Sequence, residues 1–257
     1  MVRRGRGRAH AEGYQAADNV AIAACADPIV ATRESFARDF AVANTYDDYR
    51  AMLDNEDLDL VSVCTWTGQH RAMVEDAACR DVKAIHCEKP MATTWGDAKA
   101  LYQACVDNDV LITFCHQRRF GPTFVRAKQL LDDGAIGELE RLEGACSNLF
   151  DWGTHWFDMF FYYNGEVPAE WVIGQIAVED ESQVFGVPLE TSGLSWIRWK
   201  NGIEGLLATG GASLPLKRIA SSASLSNWKF SAKSGAISAS PSSASRAAAT
   251  PAWSGVG

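Results

Sequence analysis

The sequence predicts an α/β protein whose first half is a doubly wound parallel sheet, with an α+β domain behind it. Three observations carry this. Short apolar runs alternate with helix-patterned segments from Asn19 to Cys115, the order in which a parallel sheet is wound. After about Phe120 that rhythm gives way to longer helices and a hairpin signal. The composition, 47% apolar and 22% charged over 257 residues, is enough for one large or two ordinary globular domains. The expected division is 1–119, 120–220 and a tail at 221–257.

In order, Val20–Ala26 reads as a strand stopped by Asp27-Pro28, because proline cannot continue a central strand. Arg33–Phe40 reads as helix. Leu58–Thr65 is a Val/Leu run of the kind buried on both faces of a parallel sheet. Gln69–Arg80 is helical and Val82–Cys87 is a further strand, ending at Glu88-Lys89-Pro90. Thr94 and Asp97 then give a capping signal for a helix over Ala98–Val106, and Val110–Cys115 is the next strand. Phe124–Asp133 is an amphipathic helix stopped by Gly134, and Phe150–Tyr163 a heavily aromatic one. Leu194–Lys200 and Ile203–Thr209 flank Asn201-Gly202, which suits a tight two-residue hairpin turn.

The net charge is −8, and every acidic residue lies between Glu12 and Glu204. Such an acidic body would be repelled by nucleic-acid phosphates. No apolar run approaches the roughly 18 residues of a membrane-spanning helix. The seven cysteines form no CxxC pair and sit mostly among apolar residues; read as reduced thiols, they point to the cytoplasm. Both ends depart from the pattern. Only four residues precede Gly5, where such a domain should open with an apolar strand and a Gly-rich turn. The last 37 positions hold 12 Ser and 9 Ala, a composition expected to stay disordered. Together the ends suggest a reading frame that starts late and finishes out of frame.

Three constellations carry chemistry. Gly5-Arg6-Gly7-Arg8-Ala9-His10 before a helix could be the tail of a dinucleotide fingerprint, with Asp27 about 20 residues on to meet a ribose; a basic terminus and an Asp-Pro turn are the plainer readings. Glu88-Lys89-Pro90 closes a strand, where reactive groups gather in such sheets, although Lys89 could equally be a solvated loop lysine. Asp151, His155 and Asp158 fall on one helical face, where a carboxylate could orient an imidazole as general base. Metal ligation is not expected there, since the segment lacks a His pair or thiolates. His70, taken singly, reads as a polar residue at a helix start.

Ala84-Ile85-His86-Cys87-Glu88-Lys89-Pro90-Met91-Ala92 and the Asp-x-Gly-x-His-x-x-Asp run from Asp151 to Asp158 together resemble the glucose–fructose oxidoreductase / inositol dehydrogenase (Gfo/Idh/MocA) family. Ser62 through His70 is similar to that family's cofactor loop, and Gln117-Arg118-Arg119-Phe120 to its domain junction. The resemblance implies a Rossmann domain followed by an open antiparallel sheet for substrate binding and homo-oligomerisation. It implies NAD(P)-dependent oxidation of a sugar, polyol or related carbinol. Lys89, Asp151 and His155 would be the catalytic group; Gly5, Gly7, Asp27, Thr65, His70 and Glu88 would line the cofactor. Asp27 favours NAD over NADP, whose 2′-phosphate would meet a negative charge. Against the family pattern, the first strand is missing, Val2 and Arg4 stand where two fingerprint glycines would fall, and Trp66 replaces a usual proline. Two alternatives stay open: a glycosidase that uses bound NAD for transient oxidation, and a truncated relic that no longer holds a dinucleotide.

Overall fold

A computed structural model describes residues 5–184, 186–213 and 228–232. The chain divides into two compact units after Cys115. That is four residues before the expected boundary at Arg119. The short 3₁₀ turn Gln117–Phe120 goes with the second unit because Arg119 is tied there to Asp158 and Glu166.

The first unit runs α1 (Arg6–Gln15), β1 (Ala24–Ala26), α2 (Val30–Phe40), β2 (Asn44–Tyr46), α3 (Tyr49–Asn55), β3 (Leu60–Val63), α4 (Thr67–Ala78), β4 (Ala84–Cys87), α5 (Trp95–Asp107) and β5 (Leu111–Phe114). All pairings are parallel, but they form two ladders, β1-β2 and β3-β4-β5. A doubly wound sheet would place its first strand between β1 and β3. Among the described residues no strand does so. Instead α1 touches both sides: Ala11 joins a small core with Phe40 and Val42, while His10 reaches Ser62 on β3. The elements left out of the sequence reading here are β2 and α3, whose three and seven residues are too short for periodicity to show.

The expectation that the strands are buried on both faces does not hold. Val61, Val63, Ile85 and Cys87 are buried in the unit's main core, whereas Leu60 and Leu111 are 42% and 65% exposed. The thiol of Cys87 is pushed up by that burial. The helix expected over Ala98–Val106 begins three residues earlier, at Trp95, with Thr94 capping it: Thr94 Oγ1 accepts from Asp97 N at 3.1 Å.

The second unit contains α6 (Pro122–Asp132), β6 (Leu139–Cys146), a π-helical turn (Leu149–Gly153), α7 (Thr154–Tyr163), β7 (Ala169–Ala177), the two-residue strands β8 (Gln183–Val184) and β9 (Val187–Pro188), β10 (Ser192–Trp199), β11 (Glu204–Gly210) and β12 (Trp228–Ala232). The main sheet has the order β12-β6-β11-β10-β7. It is mixed rather than wholly antiparallel, since β6 and β11 run parallel. One face is covered by α7, whose Trp156, Met159 and Phe160 pack with Leu142, Trp199 and Leu207. The hairpin turn is longer than expected. Trp199 N donates to Ile203 O at 3.0 Å, closing a three-residue loop in which Gly202 takes φ +83°, a conformation that suits glycine. In the tract expected to be disordered, Trp228–Ala232 forms β12, antiparallel to β6. The remainder of 221–257 lies outside the described residues.

Candidate functional site

In the first unit the strand register sets the site. Ser62, His86 and Thr113 are direct neighbours across β3-β4-β5. Strand periodicity returns the same face two residues later, at Cys64, Glu88 and Cys115. The ladder continues to that row: Glu88 N donates to Val63 O at 2.9 Å and Cys115 N to Cys87 O at 2.8 Å. This face is therefore polar and thiol-bearing, opposite the apolar core. His10 of α1 lies on it, its Nδ1 2.6 Å from Ser62 Oγ and 3.4 Å from Cys64 Sγ, and its Nε2 3.2 Å from Glu88 Oε1. His10 and His86 stack with ring centroids 4.7 Å apart.

The electrostatics follow. Burial favours a protonated Glu88, but the His10 hydrogen bond, the Arg6 guanidinium 3.8 Å away and the Lys89 amide outweigh it and hold the carboxyl below its ordinary range. Burial likewise opposes a charged His10. Cys115, Cys64 and Glu88 together overcome that and raise its pKa. His86 moves the other way, lowered by burial and by the neighbouring charge of His10.

Of the residues expected to line a cofactor, Gly5 is the N-cap of α1, which has no side-chain cap and no acid in its first turn. Its N–H groups and Arg6 suit an anion. Gly7 lies over the end of β3, where an added Cβ would stand 3.8 Å from Cys64 Cβ, an ordinary contact. Close packing therefore does not demand a glycine there. Asp27 Oδ1 accepts from Ile29 N at 2.8 Å, so one oxygen serves the turn into α2. Thr65 is exposed beyond β3, with Oγ1 3.3 Å from Met73 Sδ. His70 is fully buried, Nδ1 3.0 Å from Pro90 O and Nε2 3.2 Å from Thr65 O. It clamps the two loops that follow β3 and β4. Lys89 stands at the carboxyl end of β4, immediately after Glu88.

In the second unit, Asn148 caps the π-helical turn, its Oδ1 accepting from Asp151 N at 2.8 Å and Trp152 N at 3.0 Å. This fixes the backbone of Asp151 one turn before the buried His155. The His155 ring meets His116 edge-on at 5.7 Å. Asp158 does not serve as an orienting carboxylate for His155. Arg119 grips it through Nε at 3.1 Å and through Nη2, and also pairs with Glu166 at 2.9 Å. Arg118 lies over the rings of Trp152 and Trp156, at 5.1 and 4.8 Å, with Nε buried and without a hydrogen-bond partner among the described residues. Lys89 thus belongs to the first unit, Asp151 and His155 to the second.

Sequence reasoning missed His10, Ser62, His86 and Cys115 as a group. The period-2 alternation of the three strands is the signal, weak because each strand offers only two residues per face.

Parallel strands with intervening helices, a bare helix N-terminus and a polar strand-end face are features shared with dinucleotide-binding α/β folds. Residues 4–116 match the Gfo/Idh/MocA profile, described as an oxidoreductase family with an NAD-binding Rossmann fold. It is 35% identical over 130 residues to a D-apiose dehydrogenase of Paraburkholderia graminis, a match covering 51% of this chain and 34% of that enzyme. The chain thus spans about a third of that curated relative. Among solved structures, a putative myo-inositol dehydrogenase from Sinorhizobium meliloti shares 22% identity at a TM-score of 0.70, covering 91% of this chain and 73% of that one. The WlbA dehydrogenase of Bordetella pertussis, solved with NADH and UDP-GlcNAcA, shares 19% at 0.69, covering 82% and 69%. At these identities the likeness is one of fold.

Proposed function

We propose that this chain carries out nicotinamide-dependent oxidation of a CH–OH group on a sugar, polyol or related carbinol, and the reverse reduction. The match of its first unit to an NAD-binding oxidoreductase family carries this reading. The residues present fit the pyrophosphate end of a dinucleotide: α1 begins at Gly5 without a competing side-chain cap and with Arg6 in its first turn. Asp27, at the end of β1, would take the ribose hydroxyls and favour NAD, with NADP the other dinucleotide the fold admits. When bound, the cofactor supplies the hydride acceptor.

The chain's own side chains would manage the proton. In the second unit His155 would accept the hydroxyl proton and Asp151 would set its orientation; in the first unit Lys89 would act as a hydrogen-bond donor to substrate oxygen. Glu88 and His70 act at one remove, by holding Lys89 N and the loop carbonyls. A homo-oligomer through the second-unit sheet also belongs to this proposal. Val172, Ile173 and Ile176 on β7, with Leu194 and Trp196 on β10, are large apolar side chains left exposed. The seven cysteines form no disulfide, which favours a reducing compartment, and no helix among the described residues is long and apolar enough to cross a membrane.

The test is a panel of sugars, polyols and their acids with NAD⁺ or NADP⁺, following reduced-cofactor absorbance. Turnover should appear with at least one carbinol, and Lys89→Ala should abolish it while cofactor still binds. Unchanged turnover in Lys89→Ala refutes its role. Cleavage of a glycoside without accumulation of NADH would favour the transient-oxidation alternative.

A further inference from the structure

The polar face beneath α1 contains a donor set that the proposed activity does not use. One ligand atom from each of His10, His86 and Cys115 lies within 4.8 Å of the others. These residues come from three elements, α1, β4 and the end of β5, that are far apart in sequence and converge on one spot. We propose that His10, His86 and Cys115 bind a single borderline divalent cation, Zn²⁺ in the first instance, pinning α1 to the β3-β4-β5 ladder.

Five physical points support the assignment. Two imidazoles and a thiol are the ligand types that select zinc over hard cations such as Mg²⁺. Bond lengths of roughly 2.0–2.3 Å put tetrahedral ligand atoms about 3.4 Å apart, so the observed cluster must contract by about 1.5 Å at most. Thr113 Oγ1 sits 2.8 Å from His86 Nδ1, which holds the ring and leaves Nε2 to ligate. Donors for a fourth position already touch His10: the Glu88 carboxylate at 3.2 Å and the Cys64 thiol at 3.4 Å. His86 and Cys115 are only half-buried, so an ion can reach the cluster from solvent.

A cation here has a structural role that the fold makes useful. With β1-β2 and β3-β4-β5 as separate ladders, α1 is one of the elements that packs against both sides, and it meets the second through the imidazole of His10. Ligation through one ring nitrogen of His10 would leave the other to its hydrogen bond, add a coordinate bond to the ladder, and fix the helix whose N-terminus is offered to an anion. The inference rests on this geometry alone and does not depend on the proposed activity.

The experiment is titration of the full metal-free chain with Co²⁺, then displacement by Zn²⁺. A single equivalent should give the intense visible bands of tetrahedral Co²⁺ and a near-ultraviolet thiolate-to-cobalt band, both bleached by Zn²⁺. Cys115→Ser should remove the thiolate band, and His86→Phe should weaken binding at least tenfold. Thr113→Val, which touches only the orienting hydroxyl, should cost about 10–100-fold in affinity. Cys79→Ser, an exposed thiol outside the cluster, should change nothing. Should a cluster variant fail to fold by circular dichroism, the unaltered chain still decides. No Co²⁺ spectrum, an octahedral one, or a thiolate band that survives Cys115→Ser overturns the proposal.

Discussion

Replacing Asn148 with alanine removes the acceptor on which the Asp151–Trp152 turn of the second unit is hung. Its Oδ1 receives two backbone N–H groups, from Asp151 at 2.8 Å and Trp152 at 3.0 Å, and the residue is 7% exposed. Loss of an Asn cap costs typically about 1 and up to about 2 kcal/mol. Two donors are left short of a partner at a site water reaches poorly, which puts Asn148→Ala near the upper figure. At roughly 2–4 °C per kcal/mol for a folding unit of this size, the melting temperature should fall by about 3–8 °C. Asn148→Asp keeps the acceptor and adds a charge favoured at a helix start, so it should recover most of the loss. The assay is thermal unfolding followed by tryptophan fluorescence, paired with turnover. Asn148→Ala should lower kcat while leaving the dinucleotide Kd unchanged, because the cap lies in the second unit. An Asn148→Ala melt equal to the wild type, or an Asp variant as unstable as the Ala variant, refutes the reasoning.

Other substitutions probe separate parts of the structure. Arg119→Ala leaves the largely buried Asp158 carboxylate without its guanidinium and should cost about 3 kcal/mol in urea unfolding, with Arg119→Lys recovering only part. Gly144→Ala places a methyl 2.5 Å from Trp156 Cδ1 in a packed core and should destabilise by about 1–3 kcal/mol, read as a lower urea midpoint. Glu88 has a depressed folded-state pKa, so its contribution is complete above the ordinary Glu value of about 4.3 and is lost as pH falls through the lower folded-state value. Glu88→Gln should therefore be less stable than wild type at pH 7, and the gap should close in acid. Asp27→Ser should shift the NADP⁺/NAD⁺ preference toward NADP⁺, measured as a ratio of kcat/KM values.

Periodicity exposed the elements long enough to show it. The run of βα units from β3 to β5 and the aromatic helix before Tyr163 were readable because each places several apolar residues on one face. Three-residue strands such as Asn44–Tyr46 leave no such trace. Pairing partners were also hidden: nothing local tells β6 to lie parallel to β11, since that choice is made by non-local packing against α7. Among the candidate residues, Lys89, Asp151 and His155 stood out because they sit in compact motifs. The role of His70 did not, because a sequence position beside a loop cannot distinguish a ring that faces a ligand from one that clamps two carbonyls. His10, His86 and Cys115 are brought together only by the three-strand register, so no single stretch of sequence contains their signal.

The central claim, that this chain holds a nicotinamide dinucleotide on its first unit, is tested most directly by a thermal melt of the purified chain with and without NADH. At about 100 times the dissociation constant, binding should add roughly 2.7 kcal/mol of stability and raise a cooperative melt. A melt that NADH leaves unmoved would contradict the claim.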